Sequence, residues 1–278
     1  MDLKEKQKQM LLGAKAFING MSSGDVQKKY GICYASIYNA IKKYNLPYNK
    51  TYGRSIFFNE HFFHNIDTEE KAYWLGFIFA DGSIIKTSKN MDKYNRLSIC
   101  LSKKDEHHLE KFTDAIEYPK DNIKHANCSN IGEYPQSYVR INSIALVDDL
   151  ISLNCNPNKT FTPSFPSNKD IPSNLIRDFV RGYFDGDGCI SGKVKSPLFE
   201  ITSELYAIQQ LQGILMDSCN LSKTKLRFCR NSYTLRYGGI NQIKKIFHYL
   251  YDGATVFLER KYKKFTTYVF TKDQTISF

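Results

Sequence analysis

Two aspartates pose the chemical question in this sequence. Asp81 and Asp187 close the aromatic-rich segments KAYWLGFIFADG (71–82) and RDFVRGYFDGDG (177–188), which lie 106 residues apart and both end in Asp-Gly. Each segment reads as a helix that stops at its glycine, Gly82 or Gly188, the residue favoured for a left-handed cap. A carboxylate in the last helical turn faces the negative end of the helix dipole, at a cost of about 0.3 to 1 kcal/mol when exposed. A cation offsets that cost, and two such carboxylates brought together suit a divalent metal ion.

The elements that must bring them together carry small residues at a spacing of four, Gly76 and Ala80 in the first helix and Gly182 and Gly186 in the second. Glycine within a helix costs about 0.5 to 1 kcal/mol relative to alanine, so a gain elsewhere is expected. Close approach of the two helix backbones supplies it. Packed through these faces, the helices set Asp81 and Asp187 at one edge of their interface. Asp67 with Glu70 predicts a capping box at the first helix, and Ser173 with Asp178 opens the second.

Around the repeated helices the chain alternates strand-like and amphipathic stretches. The first half has strands at 96–102 and 137–142, with helices near 105–116 and 143–153. The second has strands at 198–202, 226–229 and 234–237, with helices near 204–217 and 240–251. This predicts an α+β fold of two similar subdomains, 67–160 and 161–278, joined through a proline-containing connector at 156–166. Residues 1–50 form a small helical module, with Met10, Leu11, Ala14 and Ile18 on one helix, Ser22 or Ser23 capping a second with Val26 and Tyr30, and Ile37, Ala40, Ile41 and Tyr44 on a third. The short turn Gly31-Ile32-Cys33 makes the module resemble a helix-turn-helix, with 34–45 as recognition helix and Lys42 and Lys43 at its phosphate-facing end. Residues 51–66 read as a linker. Within it His61 and His64 have H-x-x-H spacing without a further ligand nearby in sequence, and they, like His107 and His108, read as structural histidines.

The net charge of +11 on 278 residues favours a polyanionic partner. Residues 1–50 carry +6 and 222–278 carry +9, leaving −4 in the centre, as expected if basic ends grip phosphates around a carboxylate site. The seven cysteines are scattered and never spaced C-x-x-C, which points to neither a disulfide framework nor a zinc site and to a reducing, intracellular setting. No apolar run reaches the length of a membrane span or a secretion signal, so no membrane partner is expected.

The segments WLGFIFADG (74–82) and VRGYFDGDG (180–188) resemble the two motif copies that name the LAGLIDADG homing endonucleases of the single-chain type, and the resemblance extends over roughly 67–270. It implies two pseudo-symmetric αββαββα subdomains forming a saddle whose antiparallel sheets line double-stranded DNA. It further implies a monomer that hydrolyses one phosphodiester per strand in intron homing, with Mg2+ (or Mn2+) held by Asp81 and Asp187. The sixth motif position is Phe79 in one copy and Asp185 in the other, and it is not a metal position in the family. By order along the chain, Lys159 and Lys261 match the family's basic residue near the scissile phosphate. Lys103, with Ser203 as its counterpart, matches a water-positioning group, and Arg227, Arg230 and Arg236 fall on the strands expected to contact DNA. The alternative implied by the same resemblance is a DNA-binding regulator with altered catalysis, or a maturase acting on RNA.

Overall fold

The computed structural model describes residues 3–19, 21–47, 56–88, 92–128, 134–157, 165–167, 169–193 and 195–270. The chain folds as two units, Met1–Phe58 and Asn59–Phe278.

In the first unit α1 (Leu3–Ile18), α2 (Ser23–Tyr30) and α3 (Tyr34–Lys43) enclose a small core of Ala14, Phe17, Val26, Ile32, Ile37, Ala40 and Ile41. Ser22 caps α2 by accepting a hydrogen bond from the Asp25 amide at 3.1 Å. Gly31 ends α2 with φ of 68°, a left-handed conformation that turns the chain sharply into α3.

The second unit repeats one pattern twice. Its first half runs α4 (Glu69–Asp81), β1 (Gly82–Ile85), β2 (Arg96–Ser102), α5 (Glu106–Ala115), β3 (Lys124–Cys128), β4 (Tyr134–Asn142) and α6 (Ile144–Ser152). The second half runs α7 (Ile176–Asp187), β5 (Cys189–Lys193), β6 (Ser196–Ser203), α8 (Leu205–Cys219), β7 (Arg227–Cys229), β8 (Ser232–Gly238) and α9 (Ile240–Tyr251), and α10 (Glu259–Phe270) follows. Each half is αββαββα. The two sheets are antiparallel in the equivalent orders β1-β2-β4-β3 and β5-β6-β8-β7. Strand alternation gives each sheet one apolar face, with Ile99 opposite Val139 and Leu97 opposite Ile141 in the first, and Phe199 opposite Tyr237 and Ile201 opposite Leu235 in the second. Helices α4, α5 and α6 cover one sheet and α8 and α9 the other, so the opposite faces stay open.

Between the halves α4 and α7 lie in backbone contact. A Cβ on Gly76 would sit 2.0 Å from the Phe179 carbonyl oxygen, and one on Gly182 would sit 1.9 Å from that of Tyr73. The contact is reciprocal: Gly76 meets Phe179 and Tyr183, and Gly182 meets Tyr73 and Phe77, positions related by the same offset that relates the aspartates. One step further along, a Cβ on Gly186 would lie 2.2 Å from the Ala80 Cβ.

The helix ends differ from the sequence reading in two respects. Gly82 and Gly188 are not left-handed caps, because both are extended, with φ of −76° and −75°. They are glycines for lack of space: a Cβ on Gly82 would meet Ile78 at 2.6 Å and one on Gly188 would meet the Phe184 ring at 2.0 Å. Nor does Asp67 cap α4. Thr68 is the cap, accepting from the Lys71 amide at 3.3 Å, while Asp67 pairs with the Lys71 ammonium at 2.8 Å. At α7, Ser173 starts a short 3-10 turn that leads into the helix without a side-chain cap, and Asp178 is engaged with Arg181 instead.

A polar chain is sealed inside the helix layer. The Tyr73 hydroxyl donates to Asp185 Oδ2 at 2.8 Å, so the His108 Nε2, 2.9 Å from the same oxygen, is the protonated nitrogen that donates to it. The buried Nδ1 is then a lone-pair acceptor, with no hydrogen-bond partner among the described residues. Burial holds the His108 pKa down to about 3, so the ring is neutral.

Two tests follow from this packing. Gly182→Ala must drive the two helices apart against their whole shared core and is expected to cost about 3 kcal/mol or more in urea unfolding, at the upper end of overpacking penalties. His108 imposes an acid sensitivity whose sign is fixed by its depressed pKa. The unfolded chain takes up the proton below about 6.5, whereas the folded ring takes it up only near 3, so stability falls by about 1.4 kcal/mol per pH unit across that window. His108→Gln removes that slope, which urea titrations at several pH values between these limits will measure against the wild type.

Candidate functional site

The site is built by the ends of the two paired helices. Asp81 is the last residue of α4 and Asp187 the last of α7, and the chain passes from each into an edge strand, β1 or β5. The lack of a side chain at Gly186 lets the two helix ends close on Ala80, and the Asp81 Oδ2 comes to 3.4 Å from where a Gly186 Cβ would stand. The first carboxylate therefore reaches the residue next to the second. Asp81 is half-buried and Asp187 exposed.

Lys261, on α10, reaches the same helix end. Its ammonium donates to the carbonyls of Phe184 at 2.8 Å and Gly186 at 2.6 Å in the last turn of α7, the first of which also accepts from the Gly188 amide. Burial strips that ammonium of water and pulls its pKa down to about 8, while the charges of Asp185, Asp81 and Asp187 act in the opposite direction. Thus one buried cation feels both terminal aspartates. Next to it Arg260 makes a forked pair with Asp105 at 2.8 to 3.0 Å and also feels Asp81, and both effects raise its pKa.

Asp185 explains how α10 is held there. Its carboxylate is buried and accepts from the hydroxyls of Tyr73 at 2.8 Å and Tyr251 at 2.7 Å and from the Leu258 amide at 2.7 Å, the residue that precedes α10. Burial raises its pKa. Arg181, fully buried, adds a second tie, donating to Asp178 and Glu69 at 2.7 Å and to the carbonyls of Leu250 and Val256 at 2.9 Å. Glu69 in turn accepts from the Thr255 amide at 2.7 Å. These ties fix the segment between α9 and α10 against α4 and α7 together.

The carboxylates that the two helix ends present, Asp81 and Asp187, are oxygen donors. That set fits a hard divalent cation such as Mg2+ or Mn2+.

The open sheet faces next to this site are polar and basic. A groove beside Asp187 is lined by Glu200, Thr202, Arg227, Thr234 and Arg236, in which Arg236 pairs with Glu200 and the two threonine hydroxyls meet at 2.8 Å. Arg230 sits with Asn231 in the turn between β7 and β8, both at positive φ (49° and 65°), as a tight hairpin requires. Lys103 lies in the turn after β2, where its ammonium meets Glu106 and, at 2.6 Å, His125. Ser203, at the matching end of β6, accepts from the Tyr183 hydroxyl at 2.6 Å. Lys42 and Lys43 are exposed at the end of α3, and Lys159 lies outside the described residues. Sequence reading passed over Arg96, Arg140 and Tyr138, although they alternate with the apolar residues of strands it had found. They occupy the open face of the first sheet, with the Arg140 guanidinium 4.4 Å from the Tyr138 ring centre.

No protein-family model matches the sequence, and no curated protein does. Among solved structures, the chain is similar to the LAGLIDADG meganuclease I-AabMI bound to uncleaved DNA, at 16% identity and a TM-score of 0.48 over 73% of this chain and 90% of that one. It is also similar to the LAGLIDADG homing endonuclease I-LtrWI bound to target DNA, at 16% identity and a TM-score of 0.46 over 75% and 89% of the two chains. A third, the LAGLIDADG homing endonuclease I-GzeII in complex with its DNA target, gives 15% identity and a TM-score of 0.47 over 73% and 89%. Among the described residues no helix is long and apolar enough to cross a membrane.

Proposed function

We propose that this protein is a site-specific endonuclease that hydrolyses one phosphodiester in each strand of duplex DNA. The observation that carries the reading is the convergence of Asp81 on Gly186, beside Asp187, at a helix end whose buried ammonium feels both carboxylates. Asp81 and Asp187 would hold Mg2+ or Mn2+, which when bound lowers the pKa of a water molecule and draws off charge from the attacking and leaving oxygens.

The protein's own groups do the rest. Lys261 holds the end of α7 by its carbonyls and keeps positive charge where a phosphate must come close to the aspartates. Lys103 with Glu106 and His125 in one half, and Ser203 with Tyr183 in the other, are polar groups able to order solvent beside the scissile phosphates. Arg227, Arg230 and Arg236, with Arg96 and Arg140, offer planar donors suited to bases and phosphates along the open sheets. Lys42 and Lys43 add phosphate contacts from the helical module, and Lys159 is retained as a candidate basic residue by its order in the chain. A single chain carries both carboxylates, so the protein acts as a monomer.

Asp81→Asn and Asp187→Asn are each expected to lower double-strand cleavage in Mg2+ by at least about 10³-fold, the scale of losing a catalytic electrostatic group, with duplex binding kept within a few-fold. Binding with no cleavage by the wild-type protein on a selected target library would instead identify a regulator, and an RNA-dependent splicing activity a maturase. Deleting residues 1–50 removes +6 of charge and is expected to weaken DNA binding and flatten its dependence on salt, with single-turnover cutting of bound DNA little changed. An unaltered salt slope would remove the module from the DNA interface.

A further inference from the structure

The turn that precedes α4 and the helix α6 place two imidazoles and a carboxylate around one point. His61 Nδ1 is 3.2 Å from Asp149 Oδ2, and His64 Nδ1 is 3.3 Å from Asp149 Oδ1. The three candidate donor atoms all lie within 4.8 Å of one another, and the imidazole rings stand nearly perpendicular, at 86°. Both imidazoles thus lean on the same carboxylate from opposite oxygens. Each imidazole nitrogen faces its own oxygen of the one carboxylate, so all three residues turn a ligand atom towards a common point.

The geometry is held from beneath. Phe62 and Phe63, between the histidines, are buried, as is Ile66 just after them. The turn closes with the His64 amide on the His61 carbonyl at 3.0 Å and is fastened by the Asn59 amide to the Ile116 carbonyl at 2.9 Å. Glu60 accepts from Ser143, the residue whose hydroxyl caps α6, so the turn is tied to the same helix that carries Asp149. The carboxylate is largely sheltered, its side chain 14% exposed, while the imidazoles are 67% and 66% exposed and leave a fourth position open to water.

We propose that His61, His64 and Asp149 form a binding site for a zinc-class divalent ion, separate from the paired aspartates. Two imidazole nitrogens with one carboxylate suit Zn2+ and discriminate against Mg2+, which keeps to oxygen ligands. The ion would cross-link the segment entering α4 to α6, two pieces of chain that only the folded state brings together, so it acts as a stabilising clamp. This assignment does not rest on the nuclease reading.

Calorimetric titration of the full-length protein with ZnCl2 in excess Mg2+ tests it, with Co2+ absorption as a report on nitrogen ligation. The expected result is one Zn2+ per chain, with a rise in Tm of about 5 °C at saturation. Binding should be lost in His61→Ala/His64→Ala, whose exposed substitutions leave the metal-free Tm unchanged, and weakened by about tenfold or more in Asp149→Asn. It should persist in Asp81→Asn/Asp187→Asn. Absence of Zn2+ binding by the wild type, undiminished binding by the double-histidine variant, or its loss in the double-aspartate variant would each overturn the site.

Discussion

Helices α4 and α7 approach until Gly76 and Gly182 each rest on the backbone of the other helix, at a separation that no β-carbon could occupy. The two terminal aspartates are positioned from that contact. Because both helices run from it to an aspartate, the backbone positions from which the two carboxylates project are set by backbone against backbone. Gly186 continues the same logic at the last turn, where the missing side chain makes room for Ala80.

Around this symmetric seam the polar ties are one-sided. Asp185 and Arg181 gather Tyr73, Glu69, Leu250, Val256 and Leu258, and thereby bring α10 and Lys261 to the helix ends. Buried groups of this kind are costly unless every partner is met, and here the donors and acceptors come from α4, α7 and the segment between α9 and α10 at once. Their satisfaction depends on the complete second unit being assembled.

Much of this could be read from the chain alone, and the exceptions have physical causes. The amphipathic helices α5, α6, α8 and α9 stood out because one face of each is apolar at helical spacing, and β2 and β8 because apolar residues alternate along them. Strands β1, β3 and β5 are short, and β3 reads Lys-His-Ala-Asn-Cys, with no alternation to find; only pairing with a longer strand makes it a strand. Gly82 and Gly188 were misread because a left-handed cap and a crowded contact select the same residue, and only coordinates separate the two causes. The seam itself was visible in the spaced glycines, whereas the role of Asp185 was not, since its partners lie up to 112 residues away. For the same reason nothing near His61 and His64 in sequence pointed to Asp149.

The two halves of the second unit differ in kind at the equivalent positions 79 and 185. Where the second copy has Asp185 bound to three donors, the first has Phe79, packed in an aromatic cluster with Phe165 and Phe179. A doubled first half would set Ala80 against a second Ala80 where Gly186 now gives way and would have no anion for its terminal helix, and a doubled second half would put Phe179 where Tyr73 now donates, leaving each anion one donor short. The halves are complementary rather than equivalent, so neither could serve as its own partner.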